Sequence, residues 1–161
     1  MVNKAQQEHV DEMVQSAIAE GATVACGGHK VQVDGKGWFY EPTVITGCTH
    51  DMRIMRDEIF GPVLPITTFK TLDEAIEMAN DSVYGLTSSI YTTDYDTVMR
   101  AMNEIKFGET YVNREHFEAF QGFHQGVRQS GIGGEDGELG VEEYLETHVC
   151  YVDWDTSRNK E

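Results

Sequence analysis

Val63-Leu64-Pro65-Ile66-Thr67-Thr68-Phe69, followed after Lys70 by Thr71-Leu72-Asp73-Glu74, is the stretch that decides the fold. Its first part is a short apolar run entered through a Gly61-Pro62 turn, and it reads as a buried strand. The second part has the Thr-x-x-Glu spacing of a capping box, with Thr71 as N-cap and Glu74 reaching back to the Thr71 amide. Leu72, Ala75, Ile76 and Ala79 then share one helical face, and Asn80-Asp81-Ser82 ends the helix before a strand from Leu86 to Tyr91. A further helix follows from Tyr95 to Ile105, with Val98, Met99, Met102 and Ile105 inward, and Thr110-Tyr111-Val112 returns as a strand. Strands and helices alternating at this spacing predict an α/β fold, a mainly parallel sheet with flanking helices.

Toward the N-terminus, Val10, Met13, Val14, Ala17 and Ile18 line one face of a helix expected over Lys4 to Glu20, with Gly21 in the position of its C-terminal cap. Ala22 to Cys26 reads as a strand, Asp34-Gly35-Lys36-Gly37 as a hairpin-like turn, and Pro42 to Thr46 as another extended piece. A helical turn over Asp51 to Glu58 should stop at Gly61-Pro62, because proline pushes the preceding residue out of the helical region. This leaves Glu58 and Phe60 at a sharp corner. There a carboxylate could hold a sugar hydroxyl while the ring packs on a planar heterocycle, or the two could be a capped turn with Phe60 in the core.

The chain has 161 residues and 40% hydrophobic content, enough for one domain with its own core. Twelve basic against 28 acidic residues give a formal charge of -16, which repels nucleic acid and anionic membranes. No apolar run reaches membrane-spanning length and the first residues are polar, so a cytoplasmic protein is expected. Cys26, Cys48 and Cys150 are widely spaced, which fits a reducing compartment and small packed residues better than disulfides, a zinc site or a nucleophile. The six histidines show no metal-ligand spacing, and no metal is expected.

Asn113 to Gly140 is rich in glycine and reads as a long functional loop anchored by Phe117, Phe120 and Phe123. Within it, Ser130-Gly131-Ile132-Gly133-Gly134 is either a structural glycine loop or a weak phosphate cradle, and the acidic Glu135-Asp136-Gly137-Glu138 that follows disfavours phosphate. Glu118 and His124, six residues apart among aromatic residues, could hold a polar substrate group beside an apolar wall or could be ordinary surface residues. A short helix over Leu139 to Leu145 and a strand over Thr147 to Val152 complete the chain.

In order, the Glu58-Ile59-Phe60-Gly61-Pro62-Val63 corner, Ala79-Asn80-Asp81-Ser82 with Tyr84-Gly85-Leu86, Val112-Asn113, and Ser130-Gly131-Ile132-Gly133 with Gly140 resemble the NAD(P)-dependent aldehyde dehydrogenase superfamily. The resemblance covers nearly the whole chain. Phe107-Gly108-Glu109-Thr110-Tyr111-Val112-Asn113-Arg114-Glu115 and Phe117 to His124 look more narrowly like its lactaldehyde and glycolaldehyde dehydrogenase subgroup. By that resemblance, Glu58 holds the nicotinamide ribose hydroxyls and Phe60 packs near the nicotinamide. Glu118 and His124 face the aldehyde pocket and hydrogen-bond the substrate's 2-hydroxyl.

The resemblance also implies that residues 1–145 are the C-terminal part of the catalytic domain. Residues 146–154 would be a strand that extends a neighbouring subunit's sheet, and residues 155–161 a frayed tail. The family attacks its aldehyde with a cysteine thiolate in a Gly-Gln-x-Cys type segment and uses a glutamate base in a Glu-Leu-Gly-Gly type segment. Neither segment occurs here, so no catalytic residue is assigned. The expectation is therefore the C-terminal portion of an oxidoreductase that oxidises lactaldehyde or glycolaldehyde with NAD, or with NADP. Alone, the chain is expected to be inactive and to bind cofactor weakly or not at all. Expected partners are the small aldehyde, the missing N-terminal portion and other aldehyde dehydrogenase subunits in a homo-oligomer. The alternative is a non-catalytic interaction module that pairs with full-length relatives through its last strand.

Overall fold

The structure, a computed structural model, describes residues 1–154, and its contacts divide the chain into two units, Met1–Ser82 and Val83–Glu161. The expected frayed tail, residues 155–161, lies outside the described residues.

The first unit is organised by α1 (Lys4–Ala19), whose N-cap Asn3 accepts a hydrogen bond from the Gln6 amide at 2.9 Å. Val10, Met13, Val14 and Ala17 recur at helical spacing, and all four are fully buried. They join Ala22, Tyr40, Ile45, Cys48, Met52 and Ile54 in one apolar cluster. Burying each of the larger of these side chains is worth about 1.5–3 kcal/mol, which makes this cluster the main stabiliser of the unit. Around it lie β1 (Thr23–Cys26), a hairpin of β2 (Lys30–Val33) and β3 (Lys36–Tyr40), then β4 (Thr43–Thr46), α2 (Arg53–Arg56), β5 (Val63–Pro65) and α3 (Leu72–Asn80). The β4 strand is central, pairing antiparallel with β1 and parallel with β5.

The second unit opens with a strand-helix-strand crossover. Thr87–Ile90 (β6) and Glu109–Val112 (β7) pair in parallel, from Thr87 opposite Glu109 to Ile90 opposite Val112, with α4 (Tyr95–Glu104) between them. Asp94 caps α4 by accepting the Thr97 amide at 2.8 Å. Beyond β7 come β8 (His124–Gln125), a 3-10 turn over Arg128–Ser130, β9 (Gly134–Glu135) and α5 (Gly137–Glu142).

Three expectations change. The sheets are small and mixed rather than mainly parallel: among the described residues, β4–β5 and β6–β7 are parallel, while β1–β4, β2–β3 and β8–β9 are antiparallel. The run Val63 to Phe69 is not buried. Only Val63–Pro65 is strand, and it lies at the edge of its sheet with Leu64 58% exposed. The stretch from Asn113 to Gly140 is not structureless, because β8 pairs with β9 and the α5 helix begins before it ends.

Three smaller corrections follow. Thr71 does cap α3 by accepting the Glu74 amide at 3.2 Å, but the Glu74 carboxylate accepts the Lys70 amide at 2.6 Å instead of the Thr71 amide. Of the cysteines expected to be packed, Cys48 is buried, whereas Cys26 and Cys150 are exposed. Thr147 to Val152 is exposed and is not a strand within the chain. No described helix is long and apolar enough to cross a membrane.

Candidate functional site

The Glu58 corner is built from α1 outward. The Gln6 side-chain amide donates to the carbonyls of Ile59 at 3.2 Å and Phe60 at 3.1 Å, so one helix side chain fixes two consecutive peptide units. Gly61 sits directly on the core: a Cβ there would come within 2.6 Å of the Val10 side chain. Only glycine allows this approach of chain to helix. Between these two constraints Phe60 takes φ +49°, a left-handed conformation that costs a bulky residue free energy and has to be held in place. Its ring is 71% exposed, which removes the reading of Phe60 as a core residue. Glu58 is exposed too, and its carboxylate has no hydrogen-bond partner among the described residues.

The segment before the corner is anchored from α3. Asp81, the helix's C-cap, accepts hydrogen bonds from Arg56 at 3.1 Å and His50 at 2.9 Å through the same carboxylate oxygen. The Arg56 guanidinium, with a smaller share from His50, holds the Asp81 carboxyl below the usual carboxylate range. Asn80-Asp81-Ser82, legible in the sequence only as a helix stop, thus ties α3 to the helical turn that leads into Glu58.

In the second unit the motif residues converge through the backbone. The Gly85 carbonyl accepts the amides of Gly108 at 3.1 Å and Val127 at 3.0 Å, and the Gly85 amide donates to Ser130 Oγ at 2.9 Å. A Cβ on Gly85 would approach Val127 Cγ2 to 2.7 Å, so the glycine is required by packing. Asn113, at φ +53°, accepts the Thr92 amide at 2.9 Å and donates to the Thr92 carbonyl at 2.8 Å, which closes the ends of β6 and β7. Ser130-Gly131 is therefore explained as a backbone junction, and the structural reading of the glycine segment is the one the contacts favour.

His124 stands on β8, and its Nδ1 lies 2.9 Å from Glu109 Oε1 at the start of β7. The other Glu109 oxygen accepts the Tyr111 hydroxyl at 2.6 Å. This hydrogen bond and charge from Glu109, with weaker contributions from Glu118 and Glu135, raise the His124 pKa against the opposing effect of burial. Partial burial, then the Glu109 carboxylate, push the Tyr111 phenol up to about 12. Glu118 is exposed and, with Glu109, Tyr111, Arg114, Phe117 and Phe123, lines an open concavity of about 420 Å³. Glu118 and His124 thus belong to one charged neighbourhood, joined by Glu109, a residue to which the sequence reading gave no role. Its signal was the i, i+2 spacing of Glu109 and Tyr111, which places both side chains on one face of a strand.

These features can be set beside known proteins. The model of the aldehyde dehydrogenase family matches residues 1–150. Lactaldehyde dehydrogenase of Escherichia coli is 55% identical over 152 residues, covering 94% of this chain and 31% of that protein. The 3,6-anhydro-alpha-L-galactose dehydrogenase of a Vibrio species is 44% identical over 156 residues, covering 96% of this chain and 32% of that protein. The crystal structure of the E. coli lactaldehyde dehydrogenase superposes with a TM-score of 0.89 at 54% identity, over 94% of this chain and 31% of that one. Betaine aldehyde dehydrogenase of Staphylococcus aureus in complex with NAD+ superposes with a TM-score of 0.84 at 38% identity, over 97% of this chain and 33% of that one. The chain spans about a third of the length of the curated relatives it matches. With the family model matched over nearly all of its length, this chain belongs to the aldehyde dehydrogenase family.

Proposed function

We propose that this chain supplies part of the cofactor and substrate sites of an NAD(P)-dependent enzyme that oxidises a small 2-hydroxyaldehyde, lactaldehyde or glycolaldehyde, to its acid. The observation that carries this reading is the corner: a carboxylate without a partner beside an exposed ring held in a strained conformation by Gln6 and Gly61. A carboxylate in that state suits a pair of ribose hydroxyls, which donate hydrogen bonds, and a fixed, exposed ring suits the face of a nicotinamide. The residues present thus fit the dinucleotide. When bound, it supplies the acceptor for the hydride that leaves the aldehyde carbon. Glu58 would hold and orient its ribose, Phe60 would flank the ring, and Glu118 and His124 would hydrogen-bond the substrate's hydroxyl. NAD is the favoured cofactor, with NADP the alternative.

The 55% identity to a lactaldehyde dehydrogenase supports the substrate class, and the distinct substrate named for the Vibrio relative keeps the exact aldehyde among the things to test. No cysteine here lies in the family's nucleophile setting, so the covalent chemistry belongs to residues outside this chain, which would act in the cytoplasm within a homo-oligomer. The test is direct. Purified chain incubated with glycolaldehyde and NAD should form no NADH, and turnover at ordinary enzymatic rates would overturn the incomplete-site reading. In a complete enzyme that carries this segment, Glu58→Gln should raise KM for the cofactor and leave KM for the aldehyde nearly unchanged.

A second reading, an interaction module acting on full-length relatives, is favoured by one observation. Val149, Tyr151, Val152 and Trp154 are all exposed in a segment that makes no strand within the chain. Such a segment suits strand addition to a neighbouring subunit. Co-elution with a full-length lactaldehyde dehydrogenase on a sizing column, lost when residues 146–154 are removed, is the expected outcome under that reading.

A further inference from the structure

We propose that Glu109 is a positioning residue, holding the His124 ring through Nδ1 so that Nε2 is the nitrogen left to meet a hydroxyl of the substrate. The inference rests on the role given to His124 above and adds the group that orients it. Glu109 and Tyr111 share one face of β7, and the Glu109 carboxylate spans both neighbours, at 2.9 Å to His124 Nδ1 and 2.6 Å from the Tyr111 hydroxyl. Tyr111 is itself braced, with the Arg114 guanidinium 5.5 Å above its ring and His116 at a ring separation of 5.5 Å. The Glu109 side chain is 13% exposed and that of His124 26%, so the pair is shielded more than a surface ion pair. His124 Nε2 has no hydrogen-bond partner among the described residues.

A carboxylate can only accept, so Nδ1 carries the proton in either charge state of the ring. In the imidazolium form Nε2–H donates, and in the neutral form the Nε2 lone pair accepts. The groups facing the ring are Glu109 on β7, Glu118 in the loop after it and Glu135 on β9, all acidic, and they favour the imidazolium. A hydroxyl can answer both forms because it donates and accepts, whereas an ether oxygen answers only the charged one. The arrangement therefore selects a 2-hydroxyl over a 2-methoxy group, increasingly so as pH rises and the ring loses its charge.

Nitrogen-detected NMR of the imidazoles in the 161-residue chain reads the tautomer directly. The expected result is the Nδ1–H form of His124 above its midpoint. In Glu109→Ala the ring should move toward the Nε2–H form that unconstrained histidine prefers, and its midpoint should fall. Tyr111→Phe should leave the tautomer unchanged, since it does not touch the Nδ1 contact. A wild-type ring in the Nε2–H form, or an unaltered tautomer in Glu109→Ala, overturns the proposal. Should Glu109→Ala fail to fold, the wild-type tautomer and the midpoint in the isosteric Glu109→Gln still decide it, a lower midpoint supporting it and an unmoved one overturning it. In a complete enzyme carrying this segment, Glu109→Gln should raise KM for glycolaldehyde up to about tenfold with little change for acetaldehyde, and equal losses for both would overturn the positioning role. A wild-type enzyme that treats the two aldehydes alike would instead overturn the substrate reading, leaving the NMR result intact.

Discussion

Met1–Ser82 gathers ten connected buried side chains around α1, whereas in Val83–Glu161 the apolar side chain buried to the same degree among the described residues is Ala101. The second unit instead relies on directed contacts, with Gly85 and Asn113 each taking three hydrogen bonds, while Phe117, Phe120, Ile132 and Tyr144 remain exposed. Burial is non-directional and tolerates changes of detail that keep volume, while a junction of backbone hydrogen bonds tolerates almost none. Cavity-forming changes should therefore injure the first unit most, and changes of a single atom at a junction should injure the second.

The strongest challenge to this contrast is Ile45→Ala, which empties a fully buried position beside α1. It should cost about 2–5 kcal/mol in denaturant unfolding, with amide exchange quickening throughout the first unit. Exchange that quickens equally over β6 and β7 would mean that the two units do not answer separately. Next is Gly85→Ala, whose added methyl meets Val127 and should cost about 1–3 kcal/mol through a displaced junction. Here the exchange of the Gly108 and Val127 amides is the sharper readout. Thr71→Ala removes a helix cap and should cost about 1 kcal/mol, confined to the first turn of α3.

The smallest effect is one of pH. Because Glu109 raises the His124 pKa, the pair contributes its stability fully below the unfolded histidine value of 6.5 and loses it as pH rises through the folded midpoint. Urea midpoints measured across that range should fall slightly for the second unit. The Glu109→Gln variant should show no such fall.

What the sequence revealed followed its local periodicities. The helices α1, α3 and α4 came within a residue of their observed ends, since apolar spacing, the N-cap Thr71 and the glycine after α1, Gly21, are short-range signals. The sheet pairings were not legible in the same way. Whether Leu64 is buried depends on a neighbouring strand supplied from elsewhere in the chain, and no pattern within Val63 to Phe69 carries that information. For the site, the corner was visible because proline and glycine punctuate it, and motif resemblance singled out Glu58, Phe60, Glu118 and His124 as candidates. Glu109 was missed because what singles it out is a side-chain contact with His124, fifteen positions later in the chain, and no local pattern carries that contact.

The Gln6 hydrogen bonds have a consequence for how the corner would behave under load. They link the first turn of α1 to the carbonyls of Ile59 and Phe60, more than fifty positions later in the chain, so any tug on the Phe60 ring is passed into the helix that carries the buried cluster of the first unit. A molecule resting on that ring would be gripped by a lever whose fulcrum is the core itself, and fraying of the chain's opening turn would blunt the grip before anything at the corner had been altered.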